Sequence, residues 1–301
     1  MKIIGAGLAG LLAAHAWPGA EVLEADTEPR AAHRALLRFR STAVAELVGI
    51  EFRGVTVRKG IWMEKQFAAP NIQLANYYAQ KVTGSFSGDR SIWDLEPVQR
   101  FIAPEDLYEQ LIQTVNSRIH WATRADFSNR SRLSDPIVNT SPLPLVLKSS
   151  GVEADGLNFQ RASIRVKRFR LKNADVFQTV YFPDPELALY RASVSGSLLI
   201  CESTAANTDL SDSLSDAFDA FGIQSCPKLI DSTDQRFGKI VPIPTPQRQA
   251  LLHRLTAEHA IFSLGRFATW RNILLDDVVQ DIGVIRRLIK ASGYERALFA
   301  T

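Results

Sequence analysis

Near the start of the chain, Lys2-Ile-Ile-Gly-Ala-Gly-Leu-Ala-Gly10 sets glycines at positions 5, 7 and 10, behind a short apolar run and ahead of an alanine- and leucine-rich stretch. Glu24 follows at the end of a second apolar run, Ala20-Glu-Val-Leu-Glu-Ala25. This spacing suits a pyrophosphate. Gly5 permits a tight turn out of a strand, Gly7 lets backbone N–H groups approach the phosphates, and Gly10 lets the following helix lie close to the strand. Ala6, Leu8 and Ala9 supply the intervening backbone, and the helix N-terminus favours negative charge. The Glu24 carboxylate, with Ala25 beside it, is placed to accept from ribose hydroxyls. The reading is a dinucleotide-binding βαβ unit. Two alternatives use the same residues: a secretory signal, whose three regions Met1-Lys2, the apolar stretch and Ala14-His15-Ala16 imitate, and a βαβ turn without a ligand. The signal leaves the glycines and Glu24 unexplained.

Three further segments carry candidate chemistry. Arg34, Arg38 and Arg40, in His33-Arg-Ala-Leu-Leu-Arg-Phe-Arg-Ser41, are expected either to neutralise the pyrophosphate through charge-assisted hydrogen bonds or to form a solvated helix face. Arg161, Arg165, Lys167, Arg168, Arg170 and Lys172 form an acid-free basic run, which suits the phosphates of DNA or a nucleotide, or else a solvated edge strand. The five histidines are scattered, so structural roles are expected for them and no metal site. Cys201 and Cys226 have no metal or redox spacing.

These residues need elements to hold them. Parallel strands are expected at 2–5 and 20–24 around a helix from Leu8 to Ala16, with a helix through Ala103–Ile112, a return strand at Ile119–Ala122, and a short buried strand in Asp135-Pro-Ile-Val-Asn-Thr140. Residues 50–103 read as short strands and loops. From Arg161 to Ile200 the pattern is mainly β, and the switch from Ile164 and Val166 to Phe169 and Leu171 implies a bulge or bend. Helices are expected at 208–221, 248–256 and 276–291, and a strand from Ala260 runs into Gly265.

With 301 residues and 46% apolar composition the chain can bury a large core. The expected class is α/β: a Rossmann-like cofactor domain with a parallel sheet (1–49, 104–150 and 235–301) and an inserted, mainly β substrate lobe (50–103 and 151–234). Apart from the nucleotide loop no apolar stretch is long enough for a membrane span, and the two cysteines give no sign of a disulfide framework, so a cytoplasmic protein is expected, in the host cytoplasm if a phage encodes it. The oligomeric state is left open.

Taken together, Gly5-x-Gly7-x-x-Gly10, Asp135–Thr140 and Leu264-Gly-Arg-Phe-Ala-Thr-Trp270 leading to Asp276 resemble the glutathione-reductase-type FAD superfamily. The resemblance implies that both chain ends build one FAD site, with Thr140, Gly265, Arg266, Trp270 and Asp276 on the cofactor. For Trp270 burial alone is an alternative account, and for Asp276 a plain helix N-cap is another. Tyr181-Phe-Pro-Asp-Pro-Glu followed by Tyr190-Arg191 is similar to a strand pair of UDP-galactopyranose mutases, which implies that Arg191 holds a substrate carboxylate or phosphate and that Tyr181 and Tyr190 line the flavin face, unless Arg191 is a rim salt bridge and the tyrosines fill the core. The chain is shorter than those mutases and lacks a counterpart of their mobile arginine-bearing loop. Its compactness also resembles FAD enzymes of bacteriophage thymidine hypermodification, which implies oxidation or cleavage of a C–N bond in an amine or amino acid carried on thymine. The readings in play are thus an amine-oxidising flavoenzyme, a non-redox mutase-like flavoenzyme on a nucleotide sugar, and a flavin-bearing nucleic-acid-binding protein.

Overall fold

The computed structural model describes residues 1–29, 37–84, 86, 92–154, 156–204 and 211–291. In chain order the elements are β1 (Lys2–Ile4), α1 (Leu8–Ala16), β2 (Glu21–Leu23), β3 (Arg38–Phe39), α2 (Ala43–Val48), β4 (Arg53–Met63), β5 (Gln66–Ala68), α3 (Ile72–Thr83), β6 (Val98–Ile102), α4 (Leu107–Val115), β7 (Ile119–His120) and β8 (Ile137–Asn139). They continue with α5 (Leu143–Ser150), β9 (Arg161–Arg170), β10 (Val176–Tyr181), β11 (Leu189–Gly196), β12 (Leu198–Ser203), α6 (Ser211–Ala220), β13 (Lys228–Ile240), α7 (Thr245–His259), β14 (Ile261–Ser263) and α8 (Leu275–Ala291). The fold is α/β, as expected, with one parallel sheet and one large, mainly antiparallel sheet.

The parallel sheet has the strand order β14-β8-β1-β2-β7. Its strands are two or three residues long, so their stability comes from the helices that cover them. On one side Leu11 and Leu12 of α1 pack with Leu107 and Leu111 of α4 and with Ile282, Ile285 and Ile289 of α8. On the other, Val146 and Leu147 of α5 meet Leu251 and Leu255 of α7 and the ring of Trp270. The first and last helices of the described chain thus share one core.

The second sheet has nine strands, ordered β13-β9-β12-β11-β10-β4-β6-β3, with β5 paired to β4. Both its faces are covered. Ile164 and Val166 of β9 pack on one face with Leu74, Tyr78 and Val82 of α3, and Phe169 packs on the opposite face with Ala217 and Ala220 of α6. This corrects the bulge expected inside β9. Its register with β12 is unbroken from Arg165 to Arg170, and the apolar phase changes because the covering helix changes. The irregularities fall instead in β13, between Leu229 and Asp231 and between Gln235 and Lys239, and in β11 between Leu189 and Arg191.

Residues 72–83, expected as strand and loop, are helix α3. Asn71 caps it by accepting from the Leu74 N–H at 2.9 Å. Lys81 fixes its far end by donating to the carbonyls of Phe182 (2.9 Å), Asp184 (2.6 Å) and Leu189 (2.6 Å), which pins α3 to the loop between β10 and β11.

His15 of α1 points into the first core, and its buried Nε2 has no partner among the described residues. Burial first, and then the Arg118 charge, holds its pKa below the ordinary value of 6.5. Below pH 6.5 the unfolded chain therefore takes up a proton that the folded chain resists, and acid favours unfolding through this group. Between about pH 6.5 and 5 the denaturation midpoint of the wild type is expected to fall more steeply than that of His15→Gln. Equal slopes in chemical denaturation would show that the ring is not held neutral.

Candidate functional site

The glycine loop is built by close backbone contact. Gly5 has φ +98°, and a Cβ there would stand 2.4 Å from Thr140 Oγ1. A Cβ on Gly10 would stand 1.8 Å from the Gly5 carbonyl oxygen. Neither position admits a side chain. Gly7 differs: it is exposed, at φ −72°, with nothing within 4 Å of its Cβ direction, and it precedes α1 without a side-chain cap. The first N–H groups of α1 therefore have no side-chain cap.

The partners that converge on this loop come from the whole chain. Glu24 Oε2 accepts from the Ala6 N–H at 2.6 Å and Oε1 from the Asp26 N–H at 3.0 Å, so the carboxylate lies against the loop with Ala25 exposed beside it. The N–H and hydroxyl of Thr140 both donate to the Ile4 carbonyl, at 2.9 and 2.7 Å. Gly265 (φ +87°) closes the group, because its Cβ would come within 2.7 Å of Ala9 Cβ on α1. Gly5, Ala6, Gly7, Ala9, Gly10, Glu24, Thr140 and Gly265 are thus brought together.

Other expected cofactor residues are engaged elsewhere. Arg266 donates to the Gly238 carbonyl at 2.7 Å. Trp270 is 1% exposed and its Nε1 donates to the Val241 carbonyl, so it fills the core beside Phe159. Asp276 is not the cap of α8. Its Oδ1 accepts from the N–H groups of Arg40 (3.1 Å) and Ser41 (3.0 Å) and from Ser41 Oγ (3.0 Å), which ties the segment after β3 to the start of α8. The Arg40 guanidinium pairs with Asp277. Arg38, on β3 of the second sheet, reaches the β10–β11 hairpin of the same sheet and donates to Thr179 Oγ1 at 2.7 Å, to the Gln178 carbonyl and to the Val194 carbonyl. Neither solvated helix face nor pyrophosphate contact describes these two arginines. Arg34 lies outside the described residues.

The basic run also needs correction. Strand β9 is interior, between β12 and β13, and not an edge. Arg165 pairs with Asp234, Arg168 with Asp231 and Arg170 with Glu105. Three of the six cations that would face DNA phosphates are thereby neutralised.

Tyr181, Tyr190 and Arg191 do cluster, around an acid that the sequence pattern did not single out. Arg191 forms a two-point ion pair with Glu202, Nη2 to Oε1 at 2.7 Å and Nε to Oε2. Tyr190, 1% exposed, donates its hydroxyl to Glu202 Oε1 at 3.1 Å. Burial opposes the Arg191 charge, but the Glu202 carboxylate outweighs it and raises the guanidinium above its ordinary value; burial and then Glu202 push the Tyr190 phenol up. Tyr190 is therefore a core residue. The guanidinium that the mutase likeness placed on a substrate is taken by Glu202. Tyr181 packs edge-on against Tyr78 with centroids 5.2 Å apart. The signal that could have found Glu202 is a single acid inside the apolar run Leu198-Leu-Ile-Cys-Glu-Ser203.

On the face of the second sheet lies a cleft of about 320 Å³. Leu37, Ile102, Ala103, Pro104, Phe177, Ser195, Leu198 and Ile200 line it together with the charged Glu51, Arg53, Glu105 and Arg168. Its size and its mostly apolar walls suit a small organic molecule.

No protein-family model and no curated protein matches this sequence. Solved structures do match over nearly the whole chain. A PqsL variant from P. aeruginosa is similar with TM-score 0.59 at 13% identity, over 99% of this chain and 87% of that one. An oxidoreductase from Methanosarcina mazei gives 0.58 at 10% identity, over 95% and 100%. A proposed FAD containing monooxygenase from Photorhabdus luminescens gives 0.50 at 12% identity, over 98% and 92%. At these identities the likeness concerns the fold: the chain has the two-sheet α/β architecture of these proteins.

The Arg191–Glu202 pair is expected to act as one structural unit. Glu202→Gln leaves a half-buried guanidinium uncompensated and should cost about 2 kcal/mol, and Arg191→Met a similar amount. The double variant Arg191→Met/Glu202→Met should cost clearly less than the sum of the single changes. Additive losses in denaturant titrations would break the pair apart.

Proposed function

We propose that this chain is an FAD-dependent oxidoreductase that acts on a small molecule held in the cleft on the face of its second sheet. The observation that carries the reading is the convergence on one glycine loop of the open N-terminus of α1, the Glu24 carboxylate and the Gly265 turn. A loop that forbids a Cβ at Gly5 and Gly10 for packing reasons, yet leaves the Gly7 side open, fits a ligand whose phosphates lie against backbone. The P. luminescens protein, described as an FAD containing monooxygenase, is similar in fold.

In this reading the backbone from Gly5 to Gly10 holds the pyrophosphate, Glu24 with Ala25 faces the ribose, and Thr140 and Gly265 lie along the remainder of the cofactor. The division of labour is the one expected from sequence: residues 1–49, 104–150 and 235–301 for the cofactor and 50–103 with 151–234 for the substrate, with β3 and the end of β13 crossing into the second sheet. FAD supplies a two-electron acceptor, so a C–H beside an amine nitrogen can be oxidised and the resulting C=N bond opened by water. The residues of the chain bind and orient the substrate and exclude bulk water. We retain an amine or amino acid as the substrate class, on the resemblance to phage thymidine-tailoring enzymes; the ion pairs of β9 give a DNA-borne substrate no added support.

The purified protein is expected to be yellow, and heat should release FAD identifiable by chromatography. Gly7→Ala separates binding from folding, since its φ is ordinary and no atom stands in the way. The apoprotein melting temperature should be unchanged while FAD affinity falls at least about tenfold, ~1.4 kcal/mol. Gly10→Ala should instead destabilise the apoprotein by about 1–3 kcal/mol, through forced displacement of the Gly5 carbonyl. Colourless protein that takes up no added FAD would overturn the proposal. Anaerobic mixing with candidate amines should bleach the flavin; turnover of a nucleotide sugar without bleaching would replace the redox reading by the mutase one.

A further inference from the structure

We propose that Tyr108 of α4 is a positioning residue for the glycine loop: its hydroxyl holds the Ala6 carbonyl and so aims the N–H of the next residue, Gly7, at a phosphate of the ligand. The inference deepens the FAD reading above and rests on it. The loop is held from several sides. The Gly5 N–H donates to the Leu23 carbonyl at 2.8 Å, the Ala6 N–H to Glu24 Oε2 at 2.6 Å, and the Gly7 carbonyl accepts from the Leu11 N–H at 2.9 Å. Tyr108 adds a hold from a distant part of the chain, donating its hydroxyl to the Ala6 carbonyl at 3.3 Å across 102 positions of sequence, in a buried contact. The phenol arrives on a firm support. Leu107, Leu111 and Val115 of the same helix are buried in the first core with Leu11 and Leu12 of α1, and Tyr108 itself is only 9% exposed.

The Ala6 carbonyl and the Gly7 N–H belong to one peptide unit. That unit is planar and trans, so the two groups point in opposite directions, and gripping the carbonyl fixes where the N–H points. The Gly7 N–H donates to no backbone oxygen among the described residues, and no atom stands within 4 Å of the direction a Gly7 side chain would take. A donor fixed in direction beside the uncapped N-terminus of α1 suits a phosphate oxygen. At 3.3 Å the Tyr108 bond is longer than an ordinary O–H···O bond, so by itself it adds little to the stability of the fold. A phosphate that accepts from Gly7 polarises the shared peptide and makes its carbonyl a stronger acceptor. Tyr108 and the ligand therefore reinforce each other through one peptide plane, and the hydroxyl acts on affinity more than on folding.

Calorimetric titration of the full chain, stripped of any flavin it carries, with ADP tests the clamp, because ADP brings a pyrophosphate and needs no flavin chemistry to be read. Tyr108→Phe is expected to weaken ADP about fivefold with a melting curve close to that of the wild type. Leu111→Val, which loosens the same helix without touching the hydroxyl, should do the reverse: a lower melting temperature, and an ADP affinity of the folded protein within about twofold of the wild type. In amide NMR spectra ADP should move the Gly7 proton of the wild type, and move it less in Tyr108→Phe. An unaltered ADP affinity in Tyr108→Phe, an equal loss in Leu111→Val, a Gly7 amide that ADP leaves in place, or a wild type that binds no ADP would overturn the proposal. Failure of the flavoenzyme reading registers separately, as colourless protein that takes up no FAD yet binds ADP and loses affinity for it in Tyr108→Phe.

Discussion

The architecture depends on the approach of Gly10 to the carbonyl of Gly5, where no side chain can intervene. That contact sets the distance between α1 and β1 at the centre of the parallel sheet. Once α1 is fixed there, its apolar side meets α4 and α8, and Ala9 meets Gly265. A backbone contact of this kind is stiff, because it is made by atoms without rotameric freedom. It holds the Gly7 edge of the loop open while the opposite edge is packed.

A second constraint is charge. The chain brings several arginines onto one sheet and compensates most of them with acids from neighbouring strands or from the parallel-sheet unit. Glu105, just before α4, reaches Arg170 of β9, so one of these ion pairs also joins the two sheets. Exposed pairs of this kind contribute little to stability individually. Their effect here is to hold Arg165, Arg168 and Arg170 of β9 to acids of the same chain.

How much of this was legible in the sequence depended on distance along the chain. The loop from Gly5 to Gly10 and Glu24 could be read because the geometry is encoded within a few turns of chain, and α8 because Val278, Ile282, Ile285 and Ile289 repeat at helical spacing. Helix α3 was hidden by its aromatic residues, although Leu74, Tyr78 and Val82 four apart, Asn71 before and Gly84 after are helix signals. The basic run looked uncompensated because Asp231 and Asp234 stand 63 and 69 residues from the arginines they pair with. Arg38 was assigned to the loop by proximity in sequence. Its partners are 140 to 156 residues away.

The sharing of one core by α1 and α8 has a bearing on how the protein is made. As a nascent chain leaves the ribosome, the apolar side of α1 emerges first, while Ile282, Ile285 and Ile289, which complete its burial, emerge some 270 residues later. Between those events β1 must also await β8 on one side. Pairings of such long sequence separation form slowly and leave sticky surface uncovered. The apolar side of α1 therefore stays partly uncovered until α8 is made, and truncation before α8 would leave that flank exposed.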